Sequence, residues 1–207
     1  MFSYWAKPND TNDLCLMLNQ HIASAVNDNP KHFIGLGTVP MQSPQLAVEQ
    51  IQKCKYDFNM KGIMIGSHIN QYNLCDKQFD VVWKACEDMR MPVFVHPWGM
   101  EQTGRMANYW LPWLVGMPAE TTTAILAMIF GGVFERFPQL KVCFAHGAGM
   151  FPYVQGRAEH CFNVYPKDMQ IDNPFPPSKY LGRIYADSLV HTNESLNLAV
   201  KVLGEVK

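Results

Sequence analysis

Pro92-Val93-Phe94-Val95-His96 and Lys141-Val142-Cys143-Phe144-Ala145-His146 are the two stretches on which the reading of the fold turns. Each is an apolar run too short for a helix, carries β-branched or aromatic side chains, and ends in histidine. A run that does not alternate apolar with polar residues has no solvent face. It reads as a strand buried on both sides, as in a parallel sheet. Residues 33–38, 62–66 and 183–187 repeat the pattern.

Helical patterns lie between these runs. Residues 10–27 place Leu14, Met17, Leu18, Ile22, Ala25 and Val26 at helical spacing, and Asn29-Pro30 closes them. Ser43-Pro44 reads as an N-cap followed by proline in the first turn, opening a helix to about Tyr56. Asp76 is the expected cap of a helix with the stripe Phe79, Val82, Trp83, Cys86 and Met89. Residues 118–137 read as one longer, mostly buried helix. Asn193 is the expected cap of a last helix carrying Leu196, Ala199, Val200 and Leu203. Strands alternating with helices predict a parallel sheet with helical crossovers, either a doubly wound open sheet or a (β/α)8 barrel. No Gly-X-Gly-X-X-Gly or Walker loop follows a strand, which weakens the first. His96, His146 and Asp187 each stand at a strand end, where barrel enzymes build their sites, which favours the second. A barrel needs eight strands and typically ~250 residues. Five runs are visible, and residues 1–5 read as the tail of another. The expectation is one incomplete (β/α)8 TIM-type barrel domain over residues 1–207, with five to six of eight strands and an aromatic insertion at about 97–117.

Composition bounds the function. The 207 residues carry 17 Lys+Arg against 18 Asp+Glu, a net charge of −1. That balance, with no basic run, argues against nucleic acid or an acidic membrane surface as partner. Hydrophobic residues make up 48% and charged residues 17%, against an average near ~25% charged. Sparse charge leaves surface to be covered by an apolar interface. The six cysteines form no Cys-X-X-Cys pair, Cys86 and Cys143 fit apolar patterns, and residues 1–8 are no secretory leader, so free thiols in a cytoplasmic protein are expected. The apolar run 124–134 holds Gly131 and Gly132 and is too short to span a bilayer.

His96, fixed by the following Pro97, suits a metal ligand or a half-buried histidine bonded to backbone. His146, followed by Gly147-Ala148-Gly149, suits a general acid or base beside a turn that admits substrate, or a plain turn histidine. Two histidines at consecutive strand ends favour the functional reading of both. Asp187 fits equally a carboxylate orienting a ligand histidine and a cap of the next turn. Arg157 suits two-point binding of a carboxylate, or a surface role. His68 reads as structural or peripheral. His21, His32, His160 and His191 have no constellation. Tyr109-Trp110-Leu111-Pro112-Trp113-Leu114-Val115-Gly116-Met117-Pro118 is apolar enough to wall a pocket for a flat conjugated substrate, or to pack on a second subunit.

Phe2-Ser3-Tyr4-Trp5-Ala6-Lys7-Pro8, Val95-His96-Pro97-Trp98, residues 109–120 and Phe144-Ala145-His146-Gly147 together resemble the amidohydrolase-like metal-dependent barrel superfamily, specifically its decarboxylases of 2-amino-3-carboxymuconate 6-semialdehyde. The likeness covers essentially the whole chain. It implies a zinc-dependent, non-oxidative decarboxylation in tryptophan and kynurenine catabolism, diverting a small-molecule substrate from quinolinate. It implies His96 as a zinc ligand, His146 as the acid/base, Arg157 reaching the substrate carboxylate across a homodimer interface, and Met100 and Trp113 lining the pocket. The family also takes two zinc ligands from a His-X-His on the first strand and one from an Asp on the eighth, and this sequence shows neither. The resemblance therefore implies a fragment, inactive as it stands for want of metal ligands. The alternative is a non-catalytic chain that associates with a full-length subunit.

Overall fold

The computed structural model describes residues 2–204. Five strands form one parallel sheet: β1 (Leu36–Thr38), β2 (Gly62–Gly66), β5 (Val93–His96), β6 (Val142–Phe144) and β7 (Ile184–Ala186), adjacent in that order. A two-residue hairpin, β3 (His68–Ile69) with β4 (Tyr72–Asn73), follows β2. Helices α1 (Pro8–Asp28), α2 (Pro44–Tyr56), α3 (Asp80–Asp88) and α4 (Met117–Phe130) precede or cross between the strands. The short α5 (Val133–Arg136) and α6 (Ala145–Ala148) flank β6, and α7 (Phe151–Val164), α8 (Pro166–Met169) and α9 (Asn193–Leu203) complete the order. This is an incomplete α/β barrel: among the described residues β1 and β7 each have one neighbour, and the sheet does not close on itself. All six cysteines are free thiols; Cys86 is in the core, whereas Cys143 is only half-buried.

The inner strands β2, β5 and β6 hold the core, whereas at the edge β7 leaves Tyr185 exposed and β1 is only half-buried at Leu36 and Thr38. Ile63, Ile65, Val93, Val95, Val142 and Phe144 are fully buried, with Trp83 and Phe79 of the α3 region packed against them in one core. The expected strand at residues 33–38 begins only at Leu36, since Phe33 and Ile34 are exposed. Residues 2–5 do not form a strand; Ser3–Ala6 close a turn, and Met1 lies outside the described residues. Phe2 instead stacks on Tyr4 at 5.5 Å and meets Trp98 edge-on at 5.7 Å. The Tyr4 hydroxyl accepts from the Gly66 N–H at 3.0 Å, and Gly66 is the register partner of His96. Tyr4→Phe leaves that buried N–H unpaired, at a cost of about 1–3 kcal/mol. A fall in the urea midpoint of that size is the expected result.

Caps and breaks depart from the sequence reading in four places. Ser43 precedes α2 but makes no side-chain cap bond. Asp76 accepts from Gln78 N and so caps the single 3-10 turn Lys77–Phe79 that leads into α3. Thr192, not Asn193, caps α9 by accepting from Ser195 N. The expected helix over 118–137 is two helices, α4 and α5, broken at Gly131-Gly132. A Cβ at Gly131 would lie 2.3 Å from Cys75 Cβ, and Gly132 is left-handed at φ 69°. Upstream, α4 continues from a π-helical turn, Pro112–Gly116. The 19-residue helical run Pro112–Phe130, with mean hydropathy 1.4, is therefore long and apolar enough to cross a membrane, contrary to the reading of residues 124–134 alone. Its apolar face has another use here: Ala124, Ile125, Met128 and Ile129 are core residues.

Candidate active site

The C-terminal ends of β5 and β6 bring two histidines together. His96 closes β5, and its Nδ1 lies 3.0 Å from the Pro97 carbonyl oxygen. A carbonyl only accepts, so Nδ1 carries the proton and a neutral ring has its lone pair on Nε2. His146 follows β6, and the two ring centroids are 5.1 Å apart at 73°. Burial lowers the His146 pKa below the usual histidine value; His96 and His191 push the same way, and Asp187 opposes them. His146 is thus held neutral near pH 7, as a proton acceptor should be.

The backbone at this point is strained. His146 (φ 58°), Gly147 (φ 60°) and Ala148 (φ 66°) are all left-handed, a conformation that non-glycine residues adopt at a cost and that gathers at functional sites. Asp187 holds the turn: its carboxylate accepts from Gly147 N at 2.9 Å and from Leu189 N at 3.1 Å. Both bonds are made by Oδ1, and both fix backbone turns. Asp187→Ala is expected to destabilise the fold by about 1–3 kcal/mol by stranding these N–H groups, with Asp187→Asn losing less because it keeps an acceptor. Denaturant melts of the two variants check this.

A second set of contacts secures the loop after His96. Ser67 Oγ accepts from Trp98 N at 3.1 Å and reaches Glu120 Oε2 at 3.4 Å, and His68 Nδ1 pairs with the same Glu120 oxygen at 3.2 Å. These contacts tie His68, read from sequence as structural or peripheral, to Glu120 of α4. The cavity beside His146, about 260 Å³, is walled by Trp113, Leu114, Met117, Leu189, Val190 and His191. Met100 does not line it; Met100 faces an adjoining groove of about 510 Å³ that shares Trp113. Arg157 lies exposed on α7 and lines neither. His191, to which the sequence reading gives no role, stands at the cavity rim with Trp113 edge-on at 5.9 Å. The one signal for it was its place four residues beyond Asp187, on a strand-end loop. A larger hollow, about 620 Å³, sits at the opposite end of the sheet, where Pro92 and Lys141 precede β5 and β6, away from both histidines.

A catalytic metal needs about three protein ligands and an open position. Among the described residues no three His, Cys, Asp or Glu side chains converge. Two imidazoles and a carboxylate already engaged by backbone N–H groups do not make a metal centre by themselves.

The amidohydrolase family model matches residues 2–206. A 2-amino-3-carboxymuconate-6-semialdehyde decarboxylase of Dictyostelium discoideum is 51% identical over the whole chain, and one of Caenorhabditis elegans is 32% identical over 99% of it. The chain spans 58% and 63% of the length of those two relatives. The crystal structure of 5-carboxyvanillate decarboxylase from Sphingomonas paucimobilis superposes with a TM-score of 0.88 at 26% identity, covering 97% of this chain and 62% of that one.

Proposed function

The chain belongs to the amidohydrolase family, and on that premise we propose that it is the central part of the barrel of a metal-dependent, non-oxidative decarboxylase acting on 2-amino-3-carboxymuconate 6-semialdehyde. The observation that carries this reading is the His96–His146 pair, 5.1 Å apart at the C-terminal ends of adjacent parallel strands. The 51% identity to the Dictyostelium enzyme supports the choice of substrate, and with it a place in tryptophan catabolism.

In this reading His96 offers Nε2 to a divalent metal, zinc being our assignment, and the other ligands come from outside the described residues. His146, neutral at the outset, takes a proton and returns it to the carbon that has lost carbon dioxide. Trp113 walls the space for the flat conjugated chain, and Met100 lines the groove that adjoins it. Arg157, exposed on α7, reaches a carboxylate only in the neighbouring subunit of a cytosolic homodimer. The test is decarboxylation by the protein as its source makes it. Chelation should abolish carbon dioxide release and zinc should restore it; no release from metal-loaded protein would overturn the reading.

A second reading is favoured by the incomplete donor set and the two sheet edges: a non-catalytic chain that associates with a complete subunit. Intact mass separates the two. A native mass of 23.6 kDa favours association, and a mass well above it favours the decarboxylase.

A further inference from the structure

We propose that Ser67 is a positioning residue for His96: through the single peptide unit between Pro97 and Trp98 it fixes the His96 ring in the tautomer that leaves Nε2 free. The inference rests on the decarboxylase reading only for the use to which Nε2 is put, and deepens that reading by naming what presents it.

The carbonyl and the N–H of one peptide unit point to opposite sides of one rigid plane. In the 97–98 unit both are engaged. The Pro97 carbonyl oxygen lies 3.0 Å from His96 Nδ1 and takes its proton in a hydrogen bond, and the Trp98 N–H donates to Ser67 Oγ at 3.1 Å. Pinning the N–H therefore aims the carbonyl. Proline already holds its own φ at about −65°, so the plane turns only about ψ of residue 97 and φ of residue 98. Ser67 is in place for this because β2 and β5 run in parallel register with Gly66 opposite His96. Ser67 and Pro97 are thus each one residue past the end of adjacent strands.

Ser67 is itself held. It is only 2% exposed. Its hydroxyl lies 3.3 Å from His68 Nδ1, 3.4 Å from Glu120 Oε2 and 3.5 Å from the Trp98 carbonyl oxygen. His68 Nδ1 is also 3.2 Å from that Glu120 oxygen. A carboxylate only accepts, so His68 Nδ1 carries its own proton, and Glu120 is the stronger acceptor left for the Ser67 hydroxyl. A hydroxyl that donates to a carboxylate is in turn a better acceptor for the Trp98 N–H. His68 restrains the loop directly as well: a Cβ at Gly99 would lie 2.9 Å from its Cε1 and Nε2. Glu120 sits in the first turn of α4, which continues the turn carrying the cavity residues Trp113 and Leu114. One carboxylate therefore ties the cavity wall to the loop that aims His96.

The His96 tautomer is read directly by long-range proton–nitrogen correlation spectra of the full chain, with isotope-labelled histidine, freed of metal and held at about pH 8, where imidazoles are neutral. The His96 signals are those lost in His96→Asn. The wild-type ring should carry its proton on Nδ1 alone. Ser67→Ala should give a mixture of both tautomers. Ser67→Cys keeps the shape but offers only a weak acceptor, and should give a smaller admixture. Tyr4→Phe controls for damage alone. It also strands a buried N–H, that of Gly66 opposite His96, but leaves the 97–98 peptide anchored, and its spectrum should match wild type. Zinc affinity, measured by competition with a chelator, should fall about 10–100-fold in Ser67→Ala.

A wild-type ring protonated on Nε2, an unmixed spectrum in both Ser67 variants, an equal admixture in Tyr4→Phe, or zinc bound equally well by wild type and Ser67→Ala would each overturn the proposal. The first is read on the wild-type protein and the second on Ser67→Cys alone if Ser67→Ala does not fold. Tautomer mixing on loss of the Ser67 hydroxyl, in a protein that binds no zinc and releases no carbon dioxide, would sustain the role of Ser67 and overturn the decarboxylase reading alone.

Discussion

His146→Asn is expected to lower turnover by about 10²–10⁴-fold, the range over which a positioned proton-transfer group contributes. Asparagine is the substitution to use. Position 146 is left-handed at φ 58°, where alanine would add backbone strain and confuse lost chemistry with lost structure. The loss should fall on kcat, with KM little changed, because the proton transfer belongs to the transition state and not to the encounter with substrate. Thermal stability should stay close to that of the native protein, since burial disfavours the charged ring and the neutral amide pays no such penalty. Turnover within threefold of wild type would remove His146 from the reaction. A collapse of stability alongside turnover would instead mark it as a support for the turn.

The histidines at 96 and 146 were legible from sequence for a physical reason. A strand buried on both faces shows an unbroken apolar run, and the first polar residue after it must lie at the sheet's end, where chemistry is done. His191 had no such marker. It follows β7 by a loop, and only the path of that loop past Trp113 puts it at the cavity. Asp187 was undecidable for the same reason: its partner, the Gly147 N–H, lies forty residues away, on the turn after β6. In the fold, run positions survived and run ends did not. The break in 118–137 is set by the contact of Gly131 with Cys75, a tertiary fact that leaves the apolar composition unaltered. The cap of α9 moved by one residue because threonine and asparagine, adjacent at 192 and 193, are both good caps, and backbone geometry alone selects between them.

Gly147→Ala should destabilise the protein by about 2–4 kcal/mol and suppress turnover with it. Two costs add. The left-handed φ of 60° is free for glycine and costs alanine about 1 kcal/mol. The new Cβ would then stand 2.2 Å from Val190 Cγ1, an impossible contact. Valine is β-branched and stiff at χ1, so it cannot swing aside as a long side chain would, and either the β7 loop or the His146 turn must shift. Both lead to the site: Val190 is next to His191, and Gly147 donates to Asp187. A double-mutant cycle separates the two costs. Val190→Ala removes the struck methyl groups, so Gly147→Ala/Val190→Ala should recover the steric share and keep the backbone share, giving a coupling of about 1–3 kcal/mol. Urea melts of the four proteins measure it. Strict additivity would mean that Val190 does not press on the Gly147 position, and that the His146 turn and the β7 loop are not in contact there.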